Sequence, residues 1–180
     1  MTEDSPYAEI SMLVHKYADA VVHRNGTQWS STWHQDAVWD LGGGRLVEGL
    51  DAIKDLWYNA MKGFQATIQT VLNGGIEVDP SGMKASGRWY IQEQVVRANG
   101  DRGILLAHYD DEYIKTDSGW KFSRRFLQPH YAGPHDLSED FQCDIESTKI
   151  TSNDALQILD YHFYDNVYLD IENKCHVEVS

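Results

Sequence analysis

A chain of 180 residues with a hydrophobic fraction of 42% can bury one core and still carry an extension. A formal net charge of −13 argues against a nucleic-acid partner, because phosphate binding needs clustered Lys and Arg. No apolar run approaches the roughly 20 residues of a membrane span, and Met1-Thr2-Glu3-Asp4 lacks the layout of a signal peptide, so the expectation is a cytoplasmic protein with no membrane partner.

Ser5-Pro6 predicts a helix start, since Ser caps and Pro suits the first helical position. Ile10, Leu13, Val14, Tyr17 and Val21 then form an apolar stripe at helical spacing, and Asn25-Gly26 ends the helix. Thr27–His34 predicts a second short helix with Trp29 and Trp33 at i, i+4. Asp36–Leu41 reads as a short strand, joined through Gly42-Gly43-Gly44 to Leu46–Gly49. That glycine run lacks the Lys-Ser/Thr ending of a phosphate loop and is expected to be a hairpin loop. Leu50–Lys62 predicts a third helix with Ile53, Leu56, Trp57 and Met61 on one face.

Four long strands follow, at Ala66–Asp79, Lys84–Ala98, Gly103–Thr116 and Trp120–Tyr131. Their joints, Asp79-Pro80-Ser81-Gly82, Asn99-Gly100-Asp101 and Asp117-Ser118-Gly119, carry hairpin chemistry. The predicted fold is α+β, a strongly curved antiparallel sheet whose concave face is covered by three N-terminal helices, leaving a pocket between them. That domain takes residues 1–132. Gly133-Pro134 opens a C-terminal extension, residues 133–180, with 11 acids and 2 bases. Ser152-Asn153-Asp154 would cap an aromatic-rich helix running to about Leu169. Cys143 and Cys175 both fall in the extension; two cysteines make no disulfide framework or zinc set, and they are read as inert thiols.

Trp33-His34-Gln35-Asp36-Ala37-Val38-Trp39, Gly87-Arg88-Trp89-Tyr90, Tyr113 and Gly119-Trp120-Lys121-Phe122 together resemble the NTF2-like superfamily and, within it, the SnoaL-like group. That group includes polyketide cyclases, scytalone dehydratase, the hexachlorocyclohexane dehydrochlorinase and bile acid 7α-dehydratase. The resemblance covers about residues 5–132 and implies a cone-shaped α+β domain that works without a cofactor. It also implies homo-oligomers, since the convex face of such sheets commonly pairs in relatives. Members often pair an Asp at the end of the first helix with a His on the first long strand. Here those positions hold His23 and Gln69, so the usual dyad is replaced. Tyr17 and Glu93 match positions where the bile acid branch places a pocket Tyr and Asp.

The residues themselves point the same way. Glu93 shares a strand face with Trp89, Ile91 and Val95; a buried carboxylate has a raised pKa, which suits a general acid or base, with a structural ion pair to an arginine as the alternative. His23 is a candidate base or an idle helix terminus. Tyr17 lies on the apolar stripe and its hydroxyl needs a partner. His108 is a second acid/base candidate if its side of the strand faces the pocket; His108-x-Asp110 also has metal-ligand spacing, but without a third ligand no metal is assigned. Gln69, Trp39 and Trp89 are candidates for shaping or bonding the substrate. Of Arg124 and Arg125, on opposite strand faces, Arg125 is the candidate to neutralise Glu93 or bind a substrate anion. The expectation is acid–base lyase, isomerase or cyclase chemistry on a hydrophobic small molecule of polyketide, terpenoid, steroid or aromatic type. The alternatives are a non-catalytic binding or dimerisation module and an accessory subunit.

Overall fold

Local capping chemistry sets the first element. In the computed structural model, which describes residues 5–42 and 44–141, Ser5 Oγ accepts from Ala8 N at 3.3 Å and Pro6 begins α1, Pro6–His23. Its buried stripe comprises Ile10, Leu13, Val14, Tyr17, Ala18, Ala20 and Val21. Arg24, in the left-handed region at φ 53°, closes it. A short helix, α2, Gly26–Ser30, follows, and then β1, Trp33–Asp40, β2, Leu46–Glu48, and α3, Leu50–Met61. Four long strands complete the described chain: β3, Phe64–Val78, β4, Lys84–Arg97, β5, Arg102–Thr116, and β6, Gly119–Gly133.

One expectation is corrected at α2. Trp33 and His34 belong to β1 and not to a helix. The helix stops at Ser30, where Ser31 Oγ and Thr32 Oγ1 donate back to the carbonyls of Gln28 and Trp29. Phe122 N then donates to Thr32 O at 3.0 Å, and Trp33 pairs with Phe122 of β6. Long-range pairing overrides the i, i+4 tryptophan pattern. The two indoles still meet, with ring centroids 5.4 Å apart.

The sheet has six strands in the order β2-β1-β6-β5-β4-β3. β3 to β6 form the antiparallel meander, while β1 lies parallel to β6. The helices pack on one face, where Trp89, Ile91, Tyr109, Tyr113 and Phe122 join Ile10, Val14, Tyr17, Trp29 and Trp57 in a single core. The other face has no helix over it among the described residues and carries Arg88, Tyr90, His108 and Asp110. A register shift in β3 between Val71 and Gly74 lets the Trp89 ring approach the backbone; a Cβ on Gly74 would lie 2.4 Å from it. No helix among the described residues is long and apolar enough to cross a membrane. Cys143, Cys175 and the expected helix from Ser152 to Leu169 lie outside the described residues.

Candidate functional site

Strand alternation turns Trp89, Ile91, Glu93 and Val95 of β4 toward the helices. Gln69 of β3 stands opposite Glu93 in the ladder. Its Nε2 donates to Glu93 Oε2 at 2.8 Å and makes a longer contact, 3.4 Å, with Tyr109 Oη of β5. Burial raises the Glu93 pKa, and the Gln69 hydrogen bond offsets only part of that rise. Among the described residues no arginine or lysine forms an ion pair with Glu93. Arg88 grips Asp110 on the other face at 2.6 and 2.9 Å.

Tyr17 projects from α1 into the same region and is buried. Its ring packs edge-on against Tyr109 and Phe122, with centroids 6.1 and 5.6 Å away, and tilts against Trp29 at 5.5 Å. The Tyr17 and Tyr109 hydroxyls also interact with one another. Burial raises the Tyr17 pKa, opposed chiefly by the positive charge of Arg125.

Arg125 does not neutralise Glu93. It is 0% exposed and bonds Asp111 through Nε and Nη2 at 2.8 and 2.7 Å. The rings of Tyr109, Phe122 and Tyr17 enclose its guanidinium at 3.9, 3.9 and 4.2 Å. Burial works against the charge, but the Asp111 carboxylate outweighs it and the Arg125 pKa is raised. The remaining nitrogen, Nη1, has no acceptor within bonding geometry among the described residues, and neither do the buried indole nitrogens of Trp29, Trp33, Trp39 and Trp57.

Trp89 is buried and donates to Tyr113 Oη at 2.9 Å; Tyr113 in turn donates to Asp111 Oδ2 at 2.9 Å. Trp39 is half-buried and tilts on Trp29 and Trp33 at 5.7 and 5.8 Å. His23 is apart from the group, with its side chain 69% exposed and its Nδ1 3.0 Å from Asp19 O and 3.2 Å from Asp19 Oδ1. His108 faces away from the helices, beside Tyr90, Asp110 and His130. The structure thus brings together Tyr17, Gln69 and Glu93, with Arg125 beneath Tyr17, and keeps His23 and His108 away. Two members of the group were not singled out by sequence: Tyr109, which touches Tyr17, Gln69 and Arg125, and Asp111, which holds Arg125. Their signal was the Tyr109, Asp111, Tyr113 alternation on β5.

Residues 5–126 match the model of the SnoaL-like domain family. Among solved structures, a hexachlorocyclohexane dehydrochlorinase, LinA type 2, is 26% identical over 71% of this chain and 86% of its own, with a TM-score of 0.65. LinA type 3 from Novosphingobium barchaimii is 25% identical over 71% of this chain and 88% of its own, with a TM-score of 0.64. A scytalone dehydratase-like protein from Novosphingobium aromaticivorans is 20% identical over 73% of this chain and 94% of its own, at a TM-score of 0.65, a likeness of fold. No curated protein sequence matches the chain.

Proposed function

The chain belongs to the SnoaL-like domain family of the NTF2-like superfamily, and from that premise we propose that it is an enzyme moving protons on a hydrophobic small molecule between the helices and the sheet. The reaction class is elimination, isomerisation or cyclisation, without a cofactor. The observation that carries this reading is Glu93, a carboxyl held against an apolar strand face with an amide as its hydrogen-bond partner and its pKa raised by burial. A carboxylate whose pKa lies nearer to neutrality is a stronger base than an exposed one and returns the proton more readily. Glu93 removes the proton and returns it to another position or to the leaving group. Gln69 fixes the carboxyl's orientation. Tyr17 donates its hydroxyl proton to the substrate oxygen on which charge develops; a preorganised donor of this kind contributes about 3 kcal/mol. Tyr109 and the Arg125–Asp111 pair hold Tyr17 in place. Neighbours of dehydrochlorinase and dehydratase type are consistent with this class. His23 and His108 have no step in the proposal, because neither reaches Glu93.

Solvent exchange tests the reading across many substrate types at once. The protein is incubated in D2O with a panel of hydrophobic carbon acids, polyketide-like, terpenoid, steroidal and aromatic, and deuterium uptake is followed by mass spectrometry. Uptake by wild type that is lost in Glu93→Gln is expected. Uptake that survives Glu93→Gln contradicts the assignment. One observation favours a second reading, a non-catalytic module: Trp29, Phe122 and Tyr109 fill the depth around Tyr17. No uptake from any panel member, with unaltered ligand binding in the variant, would favour it.

A further inference from the structure

The face of the sheet turned away from the helices carries a polar strap across three strands. Arg88 of β4 holds Asp110 of β5 through Nε and Nη2 at 2.6 and 2.9 Å. Asp110 Oδ2 lies 3.3 Å from Nε2 of His108, two residues back on the same face of β5. His108 Nδ1 lies 2.8 Å from Nε2 of His130 on β6. A bulge in β6 places that second ring. Ala107 pairs with Pro129 and Leu106 with Tyr131, so His130 has no residue opposite it in the ladder. Tyr90 of β4 tilts on His108 at 5.5 Å and stacks on His130 at 6.3 Å. His108 itself is buried.

A hydrogen bond between two imidazoles needs one N–H and one lone pair. Burial works to raise the Asp110 pKa, but Arg88 prevails and the carboxyl stays ionised. His108 therefore turns an Nε2–H to Asp110 and keeps its lone pair on Nδ1, and His130 donates from Nε2. One added proton fits this arrangement. It binds Nδ1 of His130, and the imidazolium still donates its Nε2–H to His108. A second proton does not fit. It has to enter at His108 Nδ1, where it meets the His130 N–H head-on and sets two positive rings against each other. The charged and titratable groups facing the pair are Asp110 from β5 itself and Arg88 and Tyr90 from β4; Gln128, opposite His108 on β6, is uncharged. Asp110 is already matched by Arg88, so no spare counter-charge holds two cations together. Burial pushes the His108 pKa down, Asp110 opposes that, and Arg88 and His130 add to the fall.

We propose that His108 and His130 form an acid-released latch between β5 and β6: the closed pair holds at most one proton, and a second parts the rings and loosens the two strands on the outer face. The latch is independent of the proton-transfer reading, since it lies on the opposite face from Glu93. The unfolded chain takes a proton on each ring once pH falls below the ordinary imidazole value of about 6.5. The closed fold refuses one of them. The latch's contribution to stability is therefore whole above that value. It is lost as pH falls through the depressed folded value of His108, and in that interval the unfolding equilibrium constant rises about tenfold per pH unit.

The test is an NMR titration of the imidazoles in the full chain, in wild type, His130→Gln and His108→Gln. Each resonance is assigned by its loss in the matching variant, with circular dichroism as the folding control. Glutamine keeps a hydrogen-bonding group at either position and carries no charge. The wild-type pair should titrate in two steps about two pH units or more apart, with His108 the lower. In His130→Gln the His108 midpoint should rise by about one pH unit or more, which a histidine lowered by burial alone would not do. Denaturant unfolding at stepped pH supplies a second readout: the double variant should lose the tenfold dependence that wild type shows below about pH 6.5. A His108 midpoint that His130→Gln leaves unmoved would overturn the proposal. So would coincident midpoints in wild type, or equal pH dependence of unfolding in wild type and the double variant.

Discussion

Glu93 is the side chain on which the proposed chemistry depends, and its environment makes a thermodynamic prediction. Its folded pKa is raised above the unfolded value by burial. The folded state therefore holds the proton more tightly, and this contribution to stability is complete below the ordinary carboxylate range. It is lost as pH rises through the raised folded value. Glu93→Gln keeps a neutral side chain at every pH. Its melting temperature should match wild type in acid and exceed it progressively as pH climbs above the ordinary carboxylate range, as read by thermal melts at stepped pH. Gln69 donates the one hydrogen bond that pulls the pKa back. Gln69→Leu should thus move the acidic limb of a pH–rate profile further upward, while Gln69→Glu would set two carboxyls face to face. Glu93's place was legible because an acid alternating with Trp89, Ile91 and Val95 has only one face to occupy. His23's place was legible too, since Asp19 stands four residues before it and captures the imidazole at the helix end. The face taken by His108 was not legible, since His108-x-Asp110 and Tyr109-x-Asp111 alternate equally well and only the pairing of Asp110 with Arg88 and of Asp111 with Arg125 separates them.

Elements meet through contacts whose costs differ sharply. The Arg125–Asp111 pair joins β5 to β6 with both side chains 0% exposed. Removing one partner strands a buried charge, so Asp111→Ala should cost about 3–5 kcal/mol in denaturant unfolding. The Arg124–Asp40 pair joins β6 to β1 at 2.7 Å with Arg124 47% exposed. Asp40→Ala there should cost about 1 kcal/mol or less. The β3 bulge offers a matched pair of glycines. A Cβ on Gly74 would meet the Trp89 ring at 2.4 Å and Arg88 O at 2.6 Å, whereas one on Gly75 meets nothing within 4 Å. Gly74→Ala should destabilise by about 1–3 kcal/mol and Gly75→Ala by much less. Length, β-branched content and hairpin chemistry made the β3-to-β6 meander readable nearly to the residue. The parallel pairing of β1 with β6 was not readable, because no local feature of Trp33–Asp40 records a partner some ninety residues downstream. That same pairing ended α2 early and turned an apparent helical tryptophan pair into a strand contact.

At the scale of the molecule, one sheet serves two environments: an apolar face closed by helices around Tyr17, Arg125 and Glu93, and an outer face of ion pairs and histidines. One compact unit runs through Glu139. Tyr131 is 0% exposed, donates to Pro134 O at 2.8 Å and accepts from Glu139 N at 3.4 Å. A chain ended after residue 132 should therefore melt below one ended after residue 139, since losing such a partner for a buried hydroxyl costs about 1–3 kcal/mol. The proposed chemistry needs the covered face to be a place where a carboxyl is desolvated and poised for proton transfer. The most direct measurement is the titration of Glu93 in the intact 180-residue chain by carbon-detected NMR of the labelled side-chain carboxyl, assigned by its loss in Glu93→Gln. A midpoint clearly above that of the exposed glutamates in the same spectra is predicted. A midpoint at or below theirs would contradict the proposed role and remove Glu93 from the chemistry.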